Sequence, residues 1–335
     1  MSPTTTIPLT DPALARRLEE RLAVVEARLQ AAVGQADRLA DDASRHLVNA
    51  GGKRLRPLLT LLTAELGEQS PPEVVEAAVA VELTHLASLY HDDVMDSAPL
   101  RRGAPSAHEV WGNTVAILTG DLLFARASAT VASLGPEAVL IHAETFERLC
   151  LGQLAETVGP APQEDATAHY LTVLADKTAS LVGTSARYGA MFAGCSQDVV
   201  ELVARFGERV GIAFQIADDY LDLASDGAAT GKTPGTDLRE GVATMPVLLL
   251  RAAVASGVEL PGDRELLALL DGDLSDDAVL AQAVAALHAH PVAEATRARA
   301  VELADEAVAD LAPLPAGPAR DALVAFARAL VVRAG

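Results

Sequence analysis

The chain has 335 residues, half of them hydrophobic and only 3% aromatic, with a formal net charge of −20. That length and apolar content allow a large buried core and exclude a disordered polymer. The charge excludes a protein that coats nucleic acid or anionic lipid through bulk electrostatics, so any anionic ligand must be held by cations at defined places.

The first stretch, MSPTTTIPLT, lacks the basic and apolar blocks of a signal peptide, and residues 1–11 read as a flexible segment. Residues 12 to 33 space their apolar side chains by three and four, as an amphipathic helix does. Gly51 and Gly52 break the chain, and a helix is expected to restart near Arg54 or Pro57; Lys53 and Arg56, three residues apart, share a helical face if the helix begins at GGKRLRP. Long helical patterns then cover roughly 72 to 96, 114 to 134, 136 to 158, 165 to 194 and 197 to 225, before a polar, glycine-rich loop at 226 to 241. Shorter helical patterns fill the remainder, and strict apolar alternation is missing. The expected fold class is therefore all-α, with residues 12–335 forming a single helical domain. Apolar runs such as MPVLLLRAAVASG are too short and too interrupted to span a bilayer, and Cys150 and Cys195 lack metal-ligand spacing. A soluble, cytoplasmic protein with reduced thiols is expected.

Within this pattern HDDVMD, 91 to 96, places Asp92, Asp93 and Asp96 at the end of an apolar helical run. QIADDYLD repeats the spacing with Asp218, Asp219 and Asp222. Residues four apart on a helix differ by only about 40° in direction, so Asp92 shares a face with Asp96 and Asp218 with Asp222. A lone cluster of this kind is often a solvated helix end. Two copies on apolar helices call for a cation, because unpartnered ionised carboxylates are costly to bury. Hard oxygen ligands without a cysteine or histidine cage favour Mg²⁺ shared with a substrate's phosphates, and the spacing is not that of a calcium loop. Cations to hold a diphosphate stand in GGKRLRP (51–57), RRG (101–103), ADKTAS around Lys177 and Thr178, and GKTPGTD around Lys232.

GGKRLRP, HDDVMD with RRG, GDLL (120–123), GQLAE (152–156), KT (177–178), FQIADDYLD (214–222) and GKTPGTDLREG (231–241) occur in the order found in trans-isoprenyl diphosphate synthases. The chain resembles that family from about residue 15 to 333. The resemblance implies a helical bundle around a deep central cavity, a homodimer, and elongation of an allylic diphosphate (geranyl, farnesyl or geranylgeranyl) by isopentenyl diphosphate. It implies Mg²⁺, three ions with substrate bound, held by Asp92 and Asp96 with Asp93 in support, and by Asp218 with Asp219 and Asp222 around it. Arg101, Lys177, Thr178, Gln215 and Lys232 would hold the allylic diphosphate, and Lys53, Arg56, His85 and Arg102 isopentenyl diphosphate. His85 lies seven residues before Asp92, about 20° off the same face, which allows that role although a lone buried histidine is more often structural.

The implied chemistry needs no protein nucleophile. The allylic carbon–oxygen bond breaks heterolytically, the isopentenyl double bond attacks the cation, and the released diphosphate takes the proton. Ala87 and Ser88, before the first cluster, are small where shorter-product relatives often carry aromatics. This favours a long polyprenyl product, with geranylgeranyl diphosphate as the alternative and Phe146, Leu149 and Ile141 as candidates for the tunnel floor. Val242 stands where many relatives have a lysine, so no role is assigned there. A class I terpene cyclase fits less well, because its second motif mixes Asn, Ser or Thr with Glu. A non-catalytic subunit of a heteromeric synthase would usually have lost one acidic motif. A long apolar product would also favour loose membrane association.

Overall fold

The computed structural model describes residues 7–68, 71–224 and 234–332. These are almost entirely helical, as the composition requires, and fall into two compact units. The first comprises residues 1–147, 180–208 and 310–326, and the second 148–179, 209–309 and 327–335.

In the first unit α1 (Pro12–Ala32) starts where Asp11 Oδ1 accepts the Leu14 N–H at 2.7 Å, and its buried stripe is Leu14, Leu18, Leu22, Val25 and Leu29. Helix α2 (Arg38–Asn49) is capped in the same way by Asp37. Helix α3 (Leu55–Ala64) restarts between Arg54 and Pro57, as the sequence leads one to expect. Gly51 and Gly52 have φ of 85° and 139°, and Arg54, just before the helix, is left-handed at φ 48°. Lys53 is thus outside the helix, and the shared face expected for Lys53 and Arg56 does not exist.

Helix α4 (Pro72–Met95) is the centre of this unit, packed against α1, α3, α6 (Asn113–Ala132) and α9 (Ser180–Phe192). A methylene at Gly189 of α9 would lie 2.0 Å from the Thr60 carbonyl oxygen, so glycine is what lets α9 approach α3. Between α4 and α6 the chain makes a two-stranded hairpin absent from the sequence expectation, β1 (Leu100–Arg101) and β2 (Ala104–Pro105), with Arg101 opposite Ala104. Its turn residues Arg102 and Gly103 have φ of 55° and 78°, the sign pattern of a type I′ turn, which accounts for the glycine of RRG. The short α5 (Ala107–Trp111) follows. Among the described residues one helix, α6, is long and apolar enough to cross a membrane by length and composition, a test that a core helix also passes. One face packs on α4, while Ile117 and Leu118 are exposed.

Helix α7 (Pro136–Val158) leads into the second unit, where α8 (Ala166–Leu174) continues through a π-helical turn (Ala175–Ala179) toward α9. Sequence reading merged these into one helix. Helix α10 (Gln197–Ala224) ends in the second aspartate cluster. Beyond it come α11 (Thr236–Arg239), α12 (Met245–Ser256), α13 (Asp263–Leu270), α14 (Asp277–Ala289), α15 (Pro291–Asp310) and α16 (Pro318–Val332). One apolar cluster of the second unit is built around Leu174, Ala213, Ile216, Met245 and Leu303, and another around Leu250, Leu274, Ala283 and Leu287.

Candidate active site

In the first unit the acidic cluster closes α4. The Asp96 N–H donates to the Asp92 carbonyl at 2.8 Å, so the two residues are one turn apart as expected, Asp92 half-buried and Asp96 exposed. Asp93 turns inward. It is fully buried, and its Oδ1 accepts from Arg101 Nε at 2.6 Å. Burial raises its carboxyl above the ordinary range, and the Arg101 guanidinium opposes that shift. Arg101 therefore ties the hairpin back onto α4. Ser106 strengthens the tie by donating from Oγ to the Ala98 carbonyl.

Beside this cluster lies a pocket of cations. The Arg102 Nη1 donates to the Leu47 carbonyl at 3.2 Å and to the Gly51 carbonyl, and a Cβ at Gly52 would sit 2.8 Å from its guanidinium carbon. Gly52 is thus required twice, by its φ and by the close approach of Arg102. Arg56 is pushed down to about 10 by burial, with Glu82 pulling the other way, and its Nε has no hydrogen-bond partner among the described residues. A guanidinium left with an unpartnered donor in a cationic pocket suits an anionic ligand. Burial, reinforced by Arg56, Arg102, Arg101 and Arg54, holds the His85 imidazole well below its usual value. His85 is consequently neutral at pH 7, a hydrogen-bonding group rather than a further charge. Lys53 is exposed in the turn before α3.

One turn before His91, Ala87 is fully buried and Ser88 half-buried, with Ser88 Oγ donating to the His85 carbonyl at 2.9 Å. The His91 ring lies 5.8 Å from that of Phe124, which in turn lies 4.2 Å from Phe146. Of the floor candidates read from sequence, Phe146 joins this aromatic group, and Ile141 and Leu149 are buried. Phe124 was not foreseen, although it directly follows the GDLL motif. Gly120 of that motif leaves room for the His91 ring, since a Cβ there would fall 2.3 Å from His91 Nε2 unless the ring moved.

In the second unit Asp218 is exposed and Asp222 half-buried, while Asp219 turns inward. Its Oδ2 accepts from the Tyr170 hydroxyl and from the Met245 N–H at 2.9 Å. Burial raises the Asp219 carboxyl to about 8, with both hydrogen bonds resisting. The middle aspartate of each triplet thus faces its own unit's interior and its outer partners stay accessible. Lys177 projects from the π-helical turn and donates to Glu156 of GQLAE. Such turns re-aim one side chain within a helix and are frequent at functional sites. Gly152 of the same motif lies against the Lys177 backbone, where a Cβ would be 2.4 Å from its nitrogen. Arg148 steadies the turn through Asp176 at 2.7 Å and the Ala175 carbonyl. Thr178 and Gln215 are half-buried. Lys232 lies outside the described residues. Val242 is exposed and donates its N–H to the Asp237 carbonyl, a structural contact only.

Among the described residues no three carboxylate, histidine or cysteine side chains converge into a cage for a metal. The outer aspartates offer oxygen donors only, which fits a hard cation that completes its shell with water and phosphate oxygens.

Each unit carries a carboxylate cluster on a helix, the first with Arg101 bonded to its middle aspartate, and the chain is an all-helical prenyltransferase. The sequence model of the polyprenyl synthetase family matches residues 37–289, and the chain belongs to that family. It is 46% identical to the nonaprenyl diphosphate synthase of Mycobacterium tuberculosis (strain ATCC 25618 / H37Rv) over 98% of this chain and 97% of that one. Its fold matches a geranylgeranyl pyrophosphate synthase from Corynebacterium glutamicum, complexed with calcium and isoprenyl diphosphate (TM-score 0.86, 39% identity, 98% and 100% of the two chains covered). It equally matches a decaprenyl diphosphate synthase from Rhodobacter capsulatus (TM-score 0.85, 35% identity, 96% and 99% covered).

Proposed function

We propose that this chain elongates an allylic diphosphate with isopentenyl diphosphate, head to tail, to a long all-trans polyprenyl diphosphate, releasing diphosphate. The observation that carries the reading is the pocket of Arg56, Arg102 and neutral His85 beside Asp92, an anion site next to a hard-metal site. Similarity along the whole chain to a nonaprenyl synthase supports the long product.

Asp92 and Asp96 in one cluster, and Asp218 and Asp222 in the other, would hold Mg²⁺. The bound ions would supply charge neutralisation for the departing diphosphate. Arg101 in the first unit, and Lys177, Thr178 and Gln215 in the second, would each offer charge or hydrogen bonds to the allylic diphosphate and to the negative charge that grows as its carbon–oxygen bond breaks. Lys53, Arg56, His85 and Arg102 hold isopentenyl diphosphate so that its double bond meets the cation. No described side chain is needed as base, since the released diphosphate takes the proton. Small Ala87 and Ser88 let the growing chain pass, and the paired rings of Phe124 and Phe146 limit it.

Ile117 and Leu118 on α6 and Leu140 on α7 are exposed, the last two by 60%. We infer that these apolar helices pair with a second copy, giving a homodimer. Sedimentation velocity should return twice the 34.7 kDa chain mass. We place the enzyme in the cytoplasm, with its apolar product favouring loose contact with membranes, testable by cosedimentation with liposomes. The activity is tested by incubating the chain alone with labelled isopentenyl diphosphate and farnesyl diphosphate. Label should pass into extractable prenyl diphosphate, stop with EDTA and resume with Mg²⁺. A silent chain would favour a non-catalytic subunit.

A further inference from the structure

Glu82 is the one acidic residue between Ala77 and Leu86 of α4, and it is 2% exposed. An ionised carboxylate at that depth costs several kcal/mol unless paired. Its Oε1 accepts from Arg54 Nη1 at 2.9 Å. Glu26 takes the other edge of the same guanidinium, from Nε at 2.8 Å and Nη2 at 3.1 Å. The carbonyls of Gly51 and Val48 accept the remaining two N–H groups, both at 3.2 Å. Every guanidinium donor of Arg54 is therefore used.

This clamp acts on a backbone that would not hold its shape unaided. Arg54 is left-handed, a conformation that costs a non-glycine residue on the order of 1–3 kcal/mol, and Gly51 and Gly52 before it also have positive φ. Lys53 lies inside the clamped turn and Arg56 two residues beyond it. Glu82 has a second role as well, because its charge attracts both Arg56 and Arg102, which repel one another. Nothing in the chemistry of prenyl transfer uses Glu82, yet it is bonded to Arg54 and its charge acts on both Arg56 and Arg102.

We propose that Glu82 is a positioning residue for isopentenyl diphosphate: through Arg54 it fixes the 51–54 turn, and through its charge it keeps Arg56 and Arg102 together before the ligand arrives. The proposal rests on reading that pocket as the isopentenyl diphosphate site. It makes a prediction opposite in sign to simple field effects. Removing a negative charge near an anion site should tighten binding if charge alone mattered, whereas loss of positioning weakens it.

Glu82→Gln, Arg54→Met, their double variant and Arg56→Met are compared by steady-state kinetics and by equilibrium binding of isopentenyl thiolodiphosphate, an unreactive analogue. Glu82→Gln should raise both KM for isopentenyl diphosphate and the analogue's Kd about ten-fold, an energy of ~1.4 kcal/mol. KM for farnesyl diphosphate and kcat at saturation should stay within about two-fold, and the double variant should bind less weakly than the product of the two single effects, because part of the Glu82 role runs through Arg54. If Arg56→Met raises KM for isopentenyl diphosphate while Glu82→Gln leaves it unchanged or lowers it, the role of Glu82 is overturned and the pocket stands. If Arg56→Met has no effect, the pocket reading falls and takes the proposal with it. Should Glu82→Gln fail to fold, Glu26→Gln loosens the same clamp from its half-buried side. A selective rise of about three-fold then supports the proposal, and no rise overturns it.

Discussion

Gly152→Ala tests how closely the Lys177 turn is built. The added Cβ would lie 2.4 Å from the Lys177 nitrogen and 2.9 Å from its Cα, and both are backbone atoms that no rotamer change can move aside. Restoring an ordinary contact of 3.4 Å shifts α7 or the π-helical turn by about 1 Å. Overpacking of this kind costs ~1–3 kcal/mol, against a gain of about 1 kcal/mol from replacing glycine by alanine inside a helix. Because the obstacle is backbone, the upper half of the first range applies, and the net loss is ~1–2 kcal/mol. Function should suffer more. A displacement of about 1 Å in a charge-stabilising group can lower turnover by up to ~10²-fold, and Lys177 rides on the atoms that must move. Thermal unfolding would give the stability, and kcat measured well below the melting point would separate misplacement from unfolding. Wild-type melting together with wild-type kcat would refute the close approach and the role assigned to Lys177.

Other consequences follow from the same geometry. Tyr170→Phe removes the hydroxyl that donates to Asp219, leaving a buried carboxyl with the Met245 N–H alone; stability should fall by ~1–3 kcal/mol in thermal melts, and a gain would show that the bond is not formed. His85 is held neutral because its pKa is depressed. The ratio of KM for isopentenyl diphosphate between wild type and His85→Gln should therefore be flat from about pH 6 to 8, whereas a histidine titrating near 6.5 would tighten diphosphate binding as pH falls. Opening the aromatic pair with Phe124→Ala and Phe146→Ala should lengthen the product, and Ala87→Phe should shorten it, both read by mass spectrometry. Unchanged product lengths would remove the rings of Phe124 and Phe146 from the tunnel.

The parts of this fold that could be read from sequence are those carried by long apolar periodicity. The expected helix from 72 to 96 ends at Met95, and that from 136 to 158 is observed with the same limits. Helix α2 escaped notice because its buried side is only Ala43, Ser44, Leu47 and Val48, too short a stripe to stand out. The hairpin escaped because its strands are two residues long. Lys53 and Arg56 share a face only if the helix begins at GGKRLRP; the left-handed Arg54 keeps Lys53 in the turn, which no local spacing announces. Spacing did identify both aspartate triplets and the neighbouring arginines. It could not say that Asp93 and Asp219 would turn inward, since that depends on the hairpin that folds Arg101 back onto α4 and on Tyr170, which is distant in sequence and carries no motif. Glu82 did leave a sign, the one acid between Ala77 and Leu86 of α4. Its partner Arg54 was legible only as one basic residue among several.

The central claim is elongation past short chain lengths, and mass spectrometry of the products made from farnesyl diphosphate, excess isopentenyl diphosphate and Mg²⁺ tests it most directly, with Asp92→Ala beside it. The account predicts a ladder ending well beyond geranylgeranyl that disappears in the variant. A wild-type product stopping at geranylgeranyl would contradict the long-chain assignment, and an undiminished ladder from Asp92→Ala would contradict the role given to the first aspartate cluster.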